Sequence, residues 1–309
     1  MKVVVTGGAG FIGANLCKRL AAQGDSTVVA LDDLSTGFAS NLAGVDVELV
    51  EGSILDIDLI RSVTADADAI VHLAARASVP RSVADPVASH NANATGTMNV
   101  LEAARAAGNA YVVVASSSSV YGANPLLPKH EDLNPRPMSP YAASKLAAEA
   151  YTLAWQASYG LPTLALRFFN VFGPLQGAGH VYAAVVPAFI DAALAGRPLQ
   201  IHGDGEQTRD FTYVDTVTEV IAQAVADRRS SDEPINLAFG TRTSLLEVIA
   251  LLEKMLGHEL ARTHIEPRVG DVRHSQAAND RLRALFPSVE AVDLDEELRR
   301  TLDWYRTTI

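Results

Sequence analysis

Residues 2–32 constrain the fold of this chain more than any other stretch. Val3-Val4-Val5 lies in a short β-branched run, Lys2 to Thr6, of the kind found in a strand buried on both faces. Gly7-Gly8-Ala9-Gly10-Phe11-Ile12-Gly13 follows at once, and an amphipathic stretch from Ala14 to Gln23 reads as helix. A second strand, Thr27 to Leu31, ends in Asp32. Gly7, Gly10 and Gly13 permit a tight turn, let backbone N–H groups approach a phosphate, and allow the helix to pack closely on the strand. The helix N-terminus adds partial positive charge at that point. Asp32 falls about twenty residues beyond the loop, where a carboxylate can accept from a ribose 2′-hydroxyl. The spacing is G-x-x-G-x-x-G, a variant of the dinucleotide fingerprint. A carboxylate at 32 repels a 2′-phosphate, and residues 33–40 hold no Arg or Lys to welcome one, so the pattern predicts NAD rather than NADP.

Strand and helix keep alternating. Val47 to Val50 reads as strand, and Asp56 beyond it either faces the adenine or caps the next helix. Ala69 to Leu73 is a further buried strand whose end, Ala74-Ala75, is small enough for a cofactor to lie against it. His72 sits inside that apolar run and reads as a core histidine. Asn91 to Ala107 is a helix closed by Gly108, and Asn93 in its first turns is either polar core or a cofactor contact. Tyr111 to Ala115 is a strand with Ser116-Ser117-Ser118-Ser119-Val120-Tyr121-Gly122 at its carboxyl end, and Leu164 to Asn170 is another strand. In open α/β sheets ligands gather at such ends, so the four hydroxyls form either a turn or a hydrogen-bonding relay. The alternation predicts a doubly wound parallel sheet of Rossmann type, α/β, covered on both faces. After residue 172 glycines interrupt the pattern. Helices are then expected at Val185 to Ala195, Val214 to Asp227 and Ser244 to Leu256, the last capped by Thr243. Short strands are expected from Arg209 and over Ile235 to Ala238. This predicts a dinucleotide-binding domain of residues 1–172 plus about 210–240, and a smaller interleaved lobe of about 173–209 plus 241–309.

Met138-Ser139-Pro140-Tyr141-Ala142-Ala143-Ser144-Lys145 carries the chemistry. Ser139 suits an N-cap, Pro140 the first helical position, and Tyr141 to Tyr159 is rich in helix formers. On that helix Tyr141 and Lys145 fall one turn apart on one face. An ammonium beside a phenol favours the phenolate, which predicts a Tyr able to exchange a proton near neutral pH. The net charge of −11 argues against a nucleic-acid surface and requires locally placed arginines for any anionic ligand. No apolar run of about 18 residues exists to span a membrane. The first apolar run is too short for a signal peptide, the one cysteine, Cys17, reads as a small buried side chain, and a cytoplasmic setting is expected. No metal is expected.

Taken together, Gly7-x-x-Gly10-x-x-Gly13, the serines before Val120-Tyr121-Gly122, and Tyr141-x-x-x-Lys145 resemble the extended short-chain dehydrogenase/reductases nearly end to end. Within them the chain most resembles the NAD-dependent UDP-hexose 4-epimerases, through Leu166 to Pro174, Gly203 to Phe211 and Arg268-Val269-Gly270-Asp271. The resemblance implies that Tyr141 is base and acid at the sugar 4-hydroxyl, that Lys145 holds the nicotinamide ribose, and that Ser117, with Ser118 as the rival, completes the catalytic set. It implies Phe11, Ile12, Asp33, Ile57, Leu73 and Phe168 as further cofactor contacts. It implies Asn170, Arg209 and Arg268 at the diphosphate, Asp271 at a ribose hydroxyl, and Gln200 and His202 among the substrate contacts. A homodimer pairing the 91–107 and 141–159 helices is implied too.

The serine loop bears on which reaction is run. Related 4,6-dehydratases place an Asp-Glu pair after the catalytic Thr, and related decarboxylases a Glu beside it, whereas here Ser118 and Ser119 stand there. The resemblance therefore implies reversible oxidation and reduction at C4. A small residue at the position of Ser275, with Gln176-Gly177 and Ala184-Val185, is similar to members that accept N-acetylhexosamines. UDP-glucose, UDP-galactose, their N-acetylamino forms and UDP-glucuronate all stay open.

Overall fold

The computed structural model describes residues 1–178, 184–266 and 272–308. Its first half runs β1 (Lys2–Thr6), α1 (Phe11–Gln23), β2 (Thr27–Asp32), β3 (Glu48–Glu51), α2 (Ile57–Thr64), β4 (Ala69–His72), α3 (Val79–Ala84), α4 (Pro86–His90), α5 (Gly96–Ala106), β5 (Tyr111–Ser117), α6 (Pro140–Tyr159) and β6 (Thr163–Phe168). The second half runs β7 (Asn170–Phe172), α7 (Val185–Leu194), β8 (Leu199–His202), β9 (Thr208–Arg209), β10 (Phe211–Tyr213), α8 (Val214–Asp227), β11 (Ile235–Leu237), β12 (Thr243–Ser244), α9 (Leu245–Leu256), β13 (Arg262–Ile265), α10 (Asp280–Leu285) and α11 (Leu294–Thr308).

Seven strands form one parallel sheet in the order β11-β6-β5-β4-β1-β2-β3. Alternate side chains of each strand serve opposite faces. Val3 and Val5 join Leu16, Leu20, Val217 and Ile221 on the α1/α8 face, whereas Val4 joins Ile60, Val100 and Leu101 on the α2/α5 face. The strand order reverses between β1 and β4, so a crevice opens beyond their carboxyl ends. Gly7 and Ala74 sit there. A separate apolar cluster gathers Phe172, Phe189, Ile190, Ile201, Val248, Leu252, Leu298 and Leu302 from the later elements.

Several expected boundaries move. The strand read as Leu164 to Asn170 is two, because Phe169 turns away to pack with Val120, Tyr121 and Leu133, and β7 pairs instead with β10. The helix expected from Asn91 begins as a wide π-helical segment, Asn91–Thr95, before α5. Ser244, not Thr243, caps α9, since its Oγ accepts from Glu247 N–H while the Glu247 carboxylate accepts from the Ser244 N–H, a reciprocal capping box.

Candidate active site

The glycine loop is built by close approach. Gly7 takes φ +71°, and a Cβ on it would lie 2.7 Å from the Ala74 nitrogen. A Cβ on Gly13 would lie 2.0 Å from the Gly7 carbonyl, so the packing of α1 against the loop tolerates glycine alone. A Cβ on Gly10 would meet the Gly7 carbonyl at 3.2 Å, a tight contact, and no other atom of the described residues within 4 Å, so the rest of its surface is open. Phe11 and Ile12 open α1, both half-buried.

Asp32 ends β2 and is 7% exposed, accepting from Ala9 N–H at 3.0 Å and Leu34 N–H at 2.9 Å. Burial raises its pKa, and those two backbone donors oppose the rise. Asp33 is exposed and holds the Ser35 N–H at 3.0 Å. Asp56 caps α2 by accepting from Leu59 N–H at 3.1 Å, which is the capping alternative, and Ile57 follows as the first helical residue. Leu73, Ala74 and Ala75 leave β4 half-buried along the crevice. His72 is core, as expected: its ring lies 2.7 Å from Thr6 Oγ1 and 2.9 Å from Thr97 Oγ1, and burial first, then the Lys145 charge, lower its pKa to about 3. Asn93 is spent within the protein, its amide on Ser144 Oγ at 2.9 Å and its carbonyl on Arg76 N–H at 2.7 Å. Phe168 is buried at the end of β6.

Ser139 caps α6 through the Ala142 N–H at 3.1 Å with Pro140 at the first position, so the helix begins as its sequence requires and projects Tyr141 and Lys145 from its first turns. The Tyr141 hydroxyl faces Ser117, which ends β5, closely enough for that side chain to lower its pKa. Ser117 Oγ also accepts from Ser119 Oγ at 2.8 Å. The expected depression of the phenol is not what the geometry gives. Burial raises the Tyr141 pKa and the Ser117 bond opposes it, with no contribution from Lys145. Lys145 is 5% exposed and burial lowers its pKa to about 8. Desolvation acts against the charged form of each.

A cavity of about 280 Å³ is walled by Ser117, Ser118, Ser119, Asn170, Arg209 and Ser275 among others. Arg209 is buried and donates to the carbonyls of Thr208 at 2.9 Å and Arg273 at 3.3 Å. Asn170 donates to Asp210 O at 3.3 Å, and Ser275 is 7% exposed. Ala184, Val185, Gln200 and His202 are not among the described walls. Ala184 precedes α7, Val185 packs on the later apolar cluster, Gln200 is exposed on β8, and His202 Nδ1 bonds Glu266 O at 2.9 Å. Arg268 and Asp271 lie outside the described residues. Sequence reasoning missed Tyr121, Lys129 and His274 as walls. Only their nearness to Ser117 and Ser275 could have pointed to the first and last, and Lys129 arrives through pairing with Ala277 across a long loop.

These features define a doubly wound nucleotide-binding protein with a Ser-Tyr-Lys set at the mouth of the cofactor crevice. The residues fit a dinucleotide: the open side of Gly10, the buried carboxylate of Asp32, and a buried Lys145 that makes no hydrogen bond or ion pair among the described residues. Comparison with known proteins agrees. The profile of the "NAD dependent epimerase/dehydratase family" matches residues 3–238, and the chain belongs to that family and uses NAD. It is 39% identical over 312 residues to a UDP-glucose 4-epimerase of Mycolicibacterium smegmatis, covering 99% of each chain. In structure it is similar to the UDP-N-acetylglucosamine 4-epimerase of Methanobrevibacter ruminantium in complex with UDP-N-acetylmuramic acid, with TM-score 0.94, 35% identity and 100% and 99% coverage. It is likewise similar to the Thermus thermophilus UDP-glucose 4-epimerase in complex with NAD, with TM-score 0.91, 34% identity and full coverage of both chains.

Proposed function

We propose that this enzyme interconverts UDP-hexoses at C4 through a transient 4-keto sugar. The observation that carries the reading is Ser117 facing the Tyr141 hydroxyl, with a buried Lys145 one turn on that has no hydrogen-bond or ion-pair partner among the described residues, and serines rather than carboxylates at 118 and 119. Bound NAD supplies reversible hydride acceptance. Tyr141 takes the proton of the 4-hydroxyl as the bond to oxygen becomes a carbonyl, and returns it on reduction. Ser117 donates to the phenolate and holds it in line. With NAD bound, Lys145 would donate to the nicotinamide ribose. The glycine loop from Gly7 to Gly13 and Asp32 hold the adenosine and pyrophosphate half, with Asp33, Asp56, Ile57, Leu73, Ala74, Ala75 and Phe168 around it. Asn170, Arg209, Arg268 and Asp271 hold the UDP, a use that suits guanidinium forks. No carboxylate follows Ser117, so water is not eliminated and carbon dioxide is not lost.

The same reading assigns residues 1–172 plus about 210–240 to the cofactor and about 173–209 plus 241–309 to the nucleotide-sugar. Ser275, small and buried in the cavity wall, leaves room for an N-acetyl group, so UDP-GlcNAc and UDP-GalNAc are substrates beside UDP-Glc and UDP-Gal. Exposed Tyr151 and Tyr159 on α6 support a homodimer that pairs the 91–107 and 141–159 helices.

Incubation of the purified protein with UDP-Glc, UDP-GlcNAc and UDP-GlcA, followed by NMR, tests the reading. Inversion at C4 is expected for the first two. A dehydrated or decarboxylated product overturns it, inversion of UDP-GlcA alone overturns the choice of hexose, and undetectable turnover of UDP-GlcNAc overturns the N-acetyl assignment. Tyr141→Phe is expected to keep NAD, released and measured on denaturation, while kcat falls about 10²–10⁴-fold.

A further inference from the structure

Beneath the serine loop lies a buried polar network that the proton transfer does not itself use. Glu149 stands on α6 two turns beyond Tyr141 and one beyond Lys145, on the same stripe. Its Oε1 accepts from Arg167 Nη2 at 2.6 Å, and its Oε2 accepts from Arg167 Nε at 2.9 Å and from Ser116 Oγ at 2.7 Å. The two side chains are 3% and 4% exposed. Ser116 immediately precedes Ser117, and β5 sets Ser116 opposite Arg167 in the sheet. The guanidinium also donates from Nη1 to Tyr121 OH at 2.8 Å and lies 4.7 Å from that ring's centre. Tyr121 OH donates to Asn236 Oδ1 at 2.7 Å, and Asn236 Nδ2 donates to Lys129 O at 2.8 Å and Ala278 O at 3.1 Å. One guanidinium thus ties the helix that carries Tyr141, the strand end that carries Ser117, and two loops that wall the cavity.

A buried ion pair is a poor way to stabilise a core. Well-packed apolar replacements of similar volume are often neutral or better, whereas removing one partner is severe. What the pair offers is direction: a bidentate fork fixes both distance and angle between two elements.

We propose that Glu149 and Arg167 are positioning residues that fix Ser117 against Tyr141, a role that rests on the reading of those two as the proton-transfer pair. The test is the double variant Glu149→Leu/Arg167→Met in the NAD-loaded protein, which removes both charges and strands neither. It is expected to keep bound NAD and the wild-type melting behaviour, to leave KM within about threefold, and to lose kcat by about 10–100-fold, the scale of a small misplacement. A second readout needs no turnover. With fluorotyrosine incorporated, the fluorine resonance that Tyr141→Phe deletes is titrated in each background. Loss of the Ser117 bond, which lowers the Tyr141 pKa, is expected to move that titration to higher pH. Ser116→Ala, a small change that cuts only the link from Glu149 to β5, is expected to move it the same way. A double variant that recovers kcat together with stability overturns the proposal, as does a Tyr141 titration unmoved in both variants. If the wild type turns over no UDP-sugar, the functional reading fails by itself, and the titration still decides the positioning.

Discussion

Tyr141 and Lys145 show how spacing and environment divide the work at a residue. Their four-residue separation on a capped helix is readable from the sequence alone, and so is the glycine loop with Asp32 on the next strand. What the sequence withholds is how deeply the pair is buried. In the structure the phenol is pushed up and the ammonium down, to about 8, by loss of water, and the group that favours the phenolate is Ser117. Ser117→Ala therefore removes the one side chain among the described residues that lowers the Tyr141 pKa. The expected result is a kcat lower by about 10²-fold or more with NAD content unchanged, and a rising limb of the pH–rate profile displaced to higher pH. Ser118→Ala in parallel, with a smaller loss, separates the two serines that sequence reasoning left side by side. Tyr121, Glu149 and Arg167 escape that reasoning for a related reason. A buried fork between a helix and a strand 18 residues on has no local signature, and Arg167 in an apolar run looks like an interruption of it.

At the scale of elements, β-branched runs buried on both faces and long helices with clear caps were legible, since each is specified within its own length. Pairings made at a distance were not. β8 and β13 hold each other across more than 50 intervening residues, and α3 and α4 are too short for periodicity to register. α11 was not expected either, although Leu298, Leu302 and Tyr305 form a stripe at helical spacing that faces α7 and α9. The glycine loop is the element on which a single methyl decides most. At Gly13 the added Cβ would meet the carbonyl of Gly7 at 2.0 Å, and backbone cannot move aside as a side chain can. Gly13→Ala is expected to cost about 1–3 kcal/mol of stability by overpacking. NAD is expected to be missing from the purified protein. Gly10→Ala, whose one close contact, with the same carbonyl at 3.2 Å, needs a shift of only a few tenths of an ångström, is expected to lose less stability than Gly13→Ala and to lose cofactor as well. Thermal melts and NAD release on denaturation read the two effects apart.

The whole molecule carries a net charge of −11, and one carboxylate inside it makes that excess matter for stability. Glu297, on α11, is 5% exposed, and burial chiefly raises its pKa to about 8. Asp293, Glu296 and Asp215 push the same way, and Arg300 alone opposes them. The folded chain therefore keeps this proton until about pH 8, whereas the unfolded chain releases it near the ordinary glutamate value. Between those two values the unfolded state binds fewer protons, so stability falls as pH rises, and below the lower value the two states no longer differ. Glu297→Gln removes the penalty without changing the shape of the side chain. It is expected to leave the melting temperature unchanged at about pH 4 and to stabilise by about 2–4 kcal/mol at pH 9. Melts across that range decide the matter. A difference between the two proteins that does not vary with pH would mean that Glu297 titrates alike in the folded and unfolded chains. A difference that opens between pH 5 and pH 8 would place the alkaline weakness of the fold at the docking of its last helix.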